Sequence, residues 1–435
     1  MKSVREYWFA LQQLNHDVRI YLLTAVLAGF ATSGVYSVLL NLYLLRLGYD
    51  AAFIGIVNAA GQAAFIFMSI PAGTLGERWG TRRLIIAGIS SYFLGFLCLP
   101  LAEFVPQGWQ SGWLVGASLL ASFGGPLYWT NGNLYLMDRT SPIERNHAFS
   151  LRTAFFPLAG FIGSLVGGFL PSRFAGWLNV TLDSPAPYRY SLLFASLLFI
   201  PAIWAMWRTE EIAPVAKRAG ESTVSQEGIW RTIPYALFVP LAMIMFLRTA
   251  GESAARYFFN VYLDTIFGVP TSQIGTILAI TLFLTVPAAL ITPAFAGKWG
   301  NDRVFFVGMV GMSLCMVGMS LCMVPLALFQ QPAIAAISYI FLMIFAAVTK
   351  PTLYVYRLEI VTAVWWAAMS GVGGTAHGLG QAISAFSGGY LITAVGFRTF
   401  YLLAAILTFA GAIGFWFFAR TQRQHGVHAV TPTGD

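Results

Sequence analysis

Arg248, Glu252, Arg256, Lys350 and His377 stand well inside otherwise apolar runs of this chain, with Arg357 and Glu359 at the end of one of them. A charge at the centre of an apolar helix costs about 2.5–3.5 kcal/mol on insertion, so each needs a reason to be there. Arg248, Glu252 and Arg256 are four residues apart and share one face of a helix. The carboxylate neutralises one guanidinium and leaves a positive face, which would attract an acidic group on a ligand. Glu252 is also the candidate for carrying a proton. Lys350 precedes Pro351 in a second apolar run, and Arg357 and Glu359 follow toward its end. His377 stands among Gly373, Gly374, Gly378 and Gly380. Histidine titrates near physiological pH, but one among small residues also serves as a hydrogen-bonding packing group. For all these charges a structural ion-pair network is the competing reading.

Other chemistries lack their residues. No G-x-x-x-x-G-K-[ST] loop occurs, so nucleotide hydrolysis is not the energy source to expect. No His, Cys or Glu cluster has metal-ligand spacing, and neither metal nor cofactor is expected. An enzyme would need paired acid and base groups; a single carboxylate among cations suits binding better, so the chain is not expected to be an enzyme. Cys98, Cys315 and Cys322 all lie in apolar segments, with no disulfide framework.

The elements that must carry these residues follow from composition. Of 435 residues, 57% are hydrophobic and 10% charged, against about 25% charged in an average soluble domain. That excludes a soluble enzyme, a disordered chain and a nucleic-acid binder, despite a net charge of +8. Twelve apolar runs reach the length of a spanning helix: 20–45, 52–75, 84–105, 112–137, 148–170, 188–207, 233–262, 272–296, 303–326, 333–358, 368–394 and 398–419. They are long and uninterrupted, unlike barrel strands. Lys and Arg concentrate in alternate loops, with Arg78, Arg82, Arg83, Arg139, Arg145, Lys217, Arg218 and Lys298 on one side and Arg46, Arg173, Arg189 and Arg398 on the other. By the positive-inside rule both termini face the cytoplasm, of a prokaryotic inner membrane. The first six helices place no ionisable group near mid-membrane.

The two halves repeat at an offset of about 220. Asn41-Leu42-Tyr43-Leu44 returns as Asn260-Val261-Tyr262-Leu263, Ile54-Gly55 as Ile274-Gly275, Trp79-Gly80 as Trp299-Gly300 and Gly167-Gly168 as Gly388-Gly389. The fold expected is therefore an all-α membrane protein of twelve transmembrane helices in two pseudo-symmetric six-helix bundles. These span 1–207 and 233–420, joined by a polar linker at 208–232 and followed by a cytoplasmic tail at 421–435. Parallel repeats of this kind are a transporter architecture.

The loop after the second helix, Gly73-Thr74-Leu75-Gly76-Glu77-Arg78-Trp79-Gly80-Thr81-Arg82-Arg83, resembles the first signature of the major facilitator superfamily, G-x-L-x-D-R-x-G-x-R, with Glu77 in place of Asp. Glu144-Arg145 resembles the acidic-Arg loop between the fourth and fifth helices. The second-half copy, Gly297 to Arg303, is degraded. The resemblance implies that Gly73, Glu77, Arg78, Gly80, Arg82, Arg83, Glu144 and Arg145 form a conformational latch, and that helices one, four, seven and ten line a central cavity. It places Arg248, Glu252, Arg256 and Lys350 at a substrate or coupling site, and makes Arg357 and Glu359 an inner-gate pair. The facing half offers neutral polar groups: Thr32, Ser33, Tyr36, Ser37 and Asn41, then Asn58 and Gln62, then Tyr128, Trp129, Asn131 and Asn133. Asn41 gains weight from its repeat partner Asn260. Interhelical hydrogen bonding would explain each of these residues equally well. The fifth helix carries Ala159-x-x-x-Gly163-Ser164-x-x-Gly167-Gly168, similar to the family's antiporter signature and also what close helix packing requires.

The function expected is a secondary active transporter working by alternating access, a monomer in the lipid bilayer. It would couple protons to export of a small amphiphilic or acid-bearing compound. Organic-anion uptake by symport and lipid or lysolipid export are the alternatives.

Overall fold

The computed structural model describes residues 14–211, 235–296, 301–329, 331–361 and 365–424, and all their side chains except those of 70, 142, 143, 146, 289–296, 301–313, 351, 352, 354, 355, 358, 359, 366–368, 370 and 422–424. Every regular element among these residues is a helix. In hydrocarbon a backbone must satisfy its own hydrogen bonds, and a helix does so within one segment.

The first helix, α1 (His16–Arg46), runs through a π-helical stretch at Gly29–Tyr36. It is followed by α2 (Ala51–Trp79), α3 (Thr81–Cys98, prolonged by a 3-10 turn to Phe104), α4 (Gln107–Arg139), α5 (Pro142–Leu178) and α6 (Ala186–Trp207). Next come α7 (Tyr235–Phe267), α8 (Thr271–Ala296), α9 (Asn301–Leu328) and α10 (Pro332–Glu359). The stretch Trp366–Gln424 holds two helices, α11 and α12, broken at Gly396, where φ is 78°. Among the described residues nine stretches have the length and composition to cross a bilayer. One of them, Gly371–Thr421, has 51 residues. At about 1.5 Å per residue it is far too long for one crossing, so the Gly396 break divides it into two. The chain is an integral multi-pass membrane protein. The expected linker at 208–232 lies outside the described residues beyond Glu211, as does the tail beyond 424.

The described residues fall into two compact units. One lies within Met1–Ala219 and Asn260–Phe283, the other within Gly220–Phe259 and Leu284–Asp435. The helix that carries the buried charges, α7, thus changes units after Phe259.

Small residues let the helices of the first unit approach closely. A Cβ on Gly34 would lie 2.5 Å from the Cα of Gly163, and one on Gly163 would meet the carbonyl of Phe30. A Cβ on Gly168 would lie 3.0 Å from the Cα of Gly275 at the start of α8. The small-residue motif of α5 therefore packs against α1 and α8, as the packing reading of that motif requires. Helix starts are capped in the usual way. Asp50 accepts from the Phe53 N–H at 2.9 Å on α2, and Ser141 with Glu144 forms a capping box on α5. Those bonds from Ser141 hold the exposed Glu144 carboxyl below its usual range.

The second unit is built on an apolar cluster of Phe238, Leu241 and Ile244 from α7, Met316 from α9, Leu353 and Tyr356 from α10 and Phe415 from α12. Large apolar side chains such as Phe67, Trp204 and Phe417 remain exposed, as a lipid-facing surface requires.

The α1–α5 contact yields a stability test. Gly34→Leu is expected to destabilise the chain by about 1–3 kcal/mol or more through overpacking. Gly116→Ala, where an added Cβ meets nothing within 4 Å, is expected to be neutral or to gain about 0.5–1 kcal/mol. Thermal unfolding of the purified protein in detergent reads both.

Candidate functional site

The buried charges of the second unit converge on Glu252. Its Oε2 accepts from Arg248 Nη2 at 2.8 Å, while its Oε1 accepts from Arg256 Nη2 at 2.8 Å and from Lys350 Nζ at 2.7 Å. The i, i+4 spacing on α7 presents both guanidiniums to the carboxylate between them, and α10 brings the lysine across. Exposure divides the cations: the Arg248 side chain is 3% exposed, those of Lys350 and Arg256 39% and 44%. Arg248 is thus a sealed structural partner, whereas the other two present open faces. Among the described residues one carboxylate meets three cations, and the cluster keeps a surplus of positive charge. No group of three or more His, Cys, Asp or Glu that could hold a metal occurs among the described residues.

His377 stands beside this cluster but does not join it. Its Nδ1 is 2.9 Å from Thr249 Oγ1 and its Nε2 is 3.3 Å from Gln381 Nε2. A neutral ring satisfies both by donating from Nδ1 to Thr249 and accepting at Nε2 from the glutamine amide. The histidine thereby ties α11 to α7, in the manner of a packing residue. Arg357 is buried, with its guanidinium over Gly373 and its Nη1 3.8 Å from Met245 Sδ. The side chain of Glu359, its expected gate partner, lies outside the described residues.

In the first unit most of the neutral polar candidates are used in packing. Tyr36 is buried, with its hydroxyl 2.5 Å from the Phe96 carbonyl and 3.0 Å from that of Leu192. Tyr128 is fully buried and bonds Thr24 at 3.0 Å. Asn131 donates to the carbonyls of Ala72 and Leu127, at 3.0 and 2.9 Å. It also fills the space over Gly76. Gly73, by contrast, leaves ordinary room: a Cβ there would meet only Thr130 Cγ2 at 3.8 Å.

The signature loop clamps the end of α6. Arg82 donates to the carbonyls of Met206 and Trp207, and Arg82 and Arg83 lie 3.8 and 3.7 Å from Glu211. Gly80, at φ 91°, leaves the space that the Glu211 carboxylate enters. Glu77 and Arg78 are exposed and make no ion pair with another described residue. Arg145 donates to the Met137 carbonyl at 3.0 Å. Asp17, Arg139 and the Glu210 backbone form a further clasp at the same end.

Two groups escaped the sequence reading. At the C-terminal end of α1, Arg46 forms a bidentate pair with Asp264 of α7, at 2.7 and 2.8 Å, and donates to the Leu182 carbonyl at 3.0 Å. Beside it the repeat-related Asn41 and Asn260 meet at 3.4 Å, Asn58 donates to Asn41 at 3.1 Å, and Asn260 donates to the Val38 carbonyl at 3.1 Å. The hydroxyl of Tyr188 on α6 bonds that of Thr271 on α8 at 2.9 Å. The second group is Arg152, near the start of the α5 span and away from mid-membrane, which the sequence reading did not single out. Its Cζ lies 4.6 Å from the Trp129 ring centre and 5.8 Å from that of Tyr21. Cation–π contacts of this kind contribute about 0.5–2 kcal/mol toward holding the guanidinium there. Arg152 escaped notice because it stands four residues into the expected span, where a cation reads as a flank.

With this geometry in view, comparison with known proteins is informative. The family model of the Major Facilitator Superfamily matches residues 21–329 and, again, 241–433. The multidrug resistance protein MdtH of Proteus mirabilis (strain HI4320) is 23% identical over 253 residues, covering 56% of this chain and 57% of that protein. Multidrug resistance protein 2 of Bacillus subtilis (strain 168) is 24% identical over 292 residues, covering 66% and 68%. The chain therefore spans less than two thirds of the first relative's length. Among solved structures, the nucleoside transporter NupG superposes with a TM-score of 0.71 at 15% identity, covering 93% of this chain and 100% of that one. At that identity the likeness shows the fold alone.

The Arg46–Asp264 pair yields the next prediction. A double-mutant cycle of Arg46→Gln and Asp264→Asn is expected to give a coupling energy of about 1.5–3 kcal/mol, as for a hydrogen-bonded pair withdrawn from solvent. Thermal unfolding of the four proteins measures it, and a coupling near zero would mean that the pair is merely screened surface charge.

Proposed function

Because the chain belongs to the Major Facilitator Superfamily, we propose that this secondary transporter exports a small amphiphilic acid, bound as its anion at the Glu252 cluster. The observation that carries the reading is the surplus charge at that cluster, where three cations meet one carboxylate. An entering carboxylate meets the half-open Lys350 and Arg256, not the sealed Arg248. At an effective dielectric of about 20 the attraction is about 4 kcal/mol at 4 Å, before the ligand's own desolvation is subtracted. The naming of its relatives as multidrug resistance proteins supports export. We place both termini on the cytoplasmic side of a bacterial inner membrane, following the distribution of Lys and Arg.

The energy source follows from the same charge count. Proton-coupled export requires that proton and substrate exclude one another. At this cluster an anion that draws Lys350 and Arg256 away leaves Glu252 with Arg248 alone, which opens the carboxylate to a proton. Proton and anion would then bind together. An anion leaving an inside-negative cell gains about 2.3 kcal/mol per 100 mV, so the membrane potential suffices for export without a proton. Organic-anion uptake with a proton is the second reading, favoured by that same joint binding.

Alternating access needs the ligand to reach the outer end. Arg248, Glu252, Arg256, Asn260 and Asp264 follow one another at four-residue steps along α7. One helix thus carries the cation site and, two turns further on, the partner of Arg46. A ligand that pulls on Arg256 acts on the helix that holds the outer pair, and opening to the outside separates Arg46 from Asp264.

Transport in proteoliposomes tests the site. Lys350→Gln is expected to raise KM for an amphiphilic carboxylate about tenfold or more, the loss of a charge-assisted bond worth about 1.5–3 kcal/mol. KM for the methyl ester of the same compound should change less than about twofold, a neutral ligand forming no such bond. An equal rise for acid and ester would make Lys350 a structural residue and remove the anion site.

A further inference from the structure

We propose that Arg152, backed by Trp129 and Phe156, is a second acid-reading point on the first unit, and that the acids it selects are aromatic. This rests on the reading above that the substrate is an acid. The Arg152 guanidinium lies over the indole of Trp129, with 4.6 Å from Cζ to the ring centre, and its Nη1 donates to Asn133 Oδ1. No described carboxylate pairs with it, and the residue is half-buried rather than sealed. Trp129 in turn meets Phe156 and Tyr128 edge-on, at 4.7 and 5.2 Å with interplanar angles of 78° and 77°. A guanidinium held flat against an aromatic ring keeps its planar fork available for a carboxylate. The half-buried rings of Trp129 and Phe156 offer a bound aromatic group the T-shaped contacts it favours.

Two observations set this apart from an arginine anchored at the membrane surface. The side chain is directed to Tyr21 of α1 and to Trp129 and Asn133 of α4, within the bundle. The repeat supplies the second. The offset of 221 that pairs Gly168 with Gly389 places Arg152 opposite Gly373, and over Gly373 lies the guanidinium of Arg357. Each half thus associates an arginine with this position of its fifth helix, Arg152 at the position itself in one half and Arg357 of α10, lying over Gly373, in the other. Arg357 is buried against Met245; Arg152 is the open member of the pair.

The test measures binding of two carboxylates of equal charge, one aryl and one aliphatic, to the purified full chain. Wild type is expected to prefer the aryl acid. Arg152→Lys keeps the charge but loses the stacked fork, and should reduce the aryl-to-aliphatic affinity ratio about tenfold with an unchanged thermal midpoint in the absence of ligand. Arg152→Gln should weaken both acids and the aryl acid more, whereas Lys350→Gln should weaken both equally. An unchanged ratio in Arg152→Lys, or a wild type without aryl preference, overturns the proposal while leaving the Lys350 site standing. A wild type that binds neither acid overturns both.

Discussion

The structure of the second unit turns on one carboxylate. Glu252 is almost fully buried, and both of its oxygens are occupied by cations. Without it, Arg248 would be a buried charge with no counterion, a situation that costs about 3–5 kcal/mol. With it, three cations can be held together in an apolar surround. On the function proposed above, that concentration of positive charge is what would select an anion. A site meant only to be stable would match charges evenly, or use apolar residues of similar volume.

That chemistry was largely legible in the sequence because it obeys helix spacing. Arg248, Glu252 and Arg256 face one another by the i, i+4 rule, and a lysine in a second apolar run is conspicuous in a chain with so few charges. The twelve apolar runs, the two-part repeat and the signature loop likewise gave the fold class. What stayed hidden was which polar groups are already satisfied. Tyr36, Tyr128 and Asn131 look like a binding wall when listed by helix, yet the two hydroxyls and the Asn131 amide N–H groups are turned to backbone carbonyls or to Thr24. Only the packing of neighbouring helices decides this. Asp264 escaped because a lone acid near a helix end reads as a solvated flank, although it continues the four-residue steps of α7.

Glycine gave a similar lesson. The signature loop placed Gly73 in the latch, but the glycine that a neighbour crowds is Gly76, one turn later, under Asn131. The residue that a motif marks and the residue that a contact requires need not coincide, since the motif specifies the chain and the contact depends on its partner. By contrast, the paired glycines of α5 do what their spacing suggests, setting α5 against α1 and α8.

The central claim is that the chain carries an acid as its anion, with charge moved across the membrane. Its most direct test is flux of an amphiphilic carboxylate in proteoliposomes, with equal pH on both sides and a potential imposed by potassium and valinomycin. The account predicts net flux toward the positive side, reversing when the potential is reversed. Flux that ignores the potential and follows an imposed pH gradient instead would contradict it.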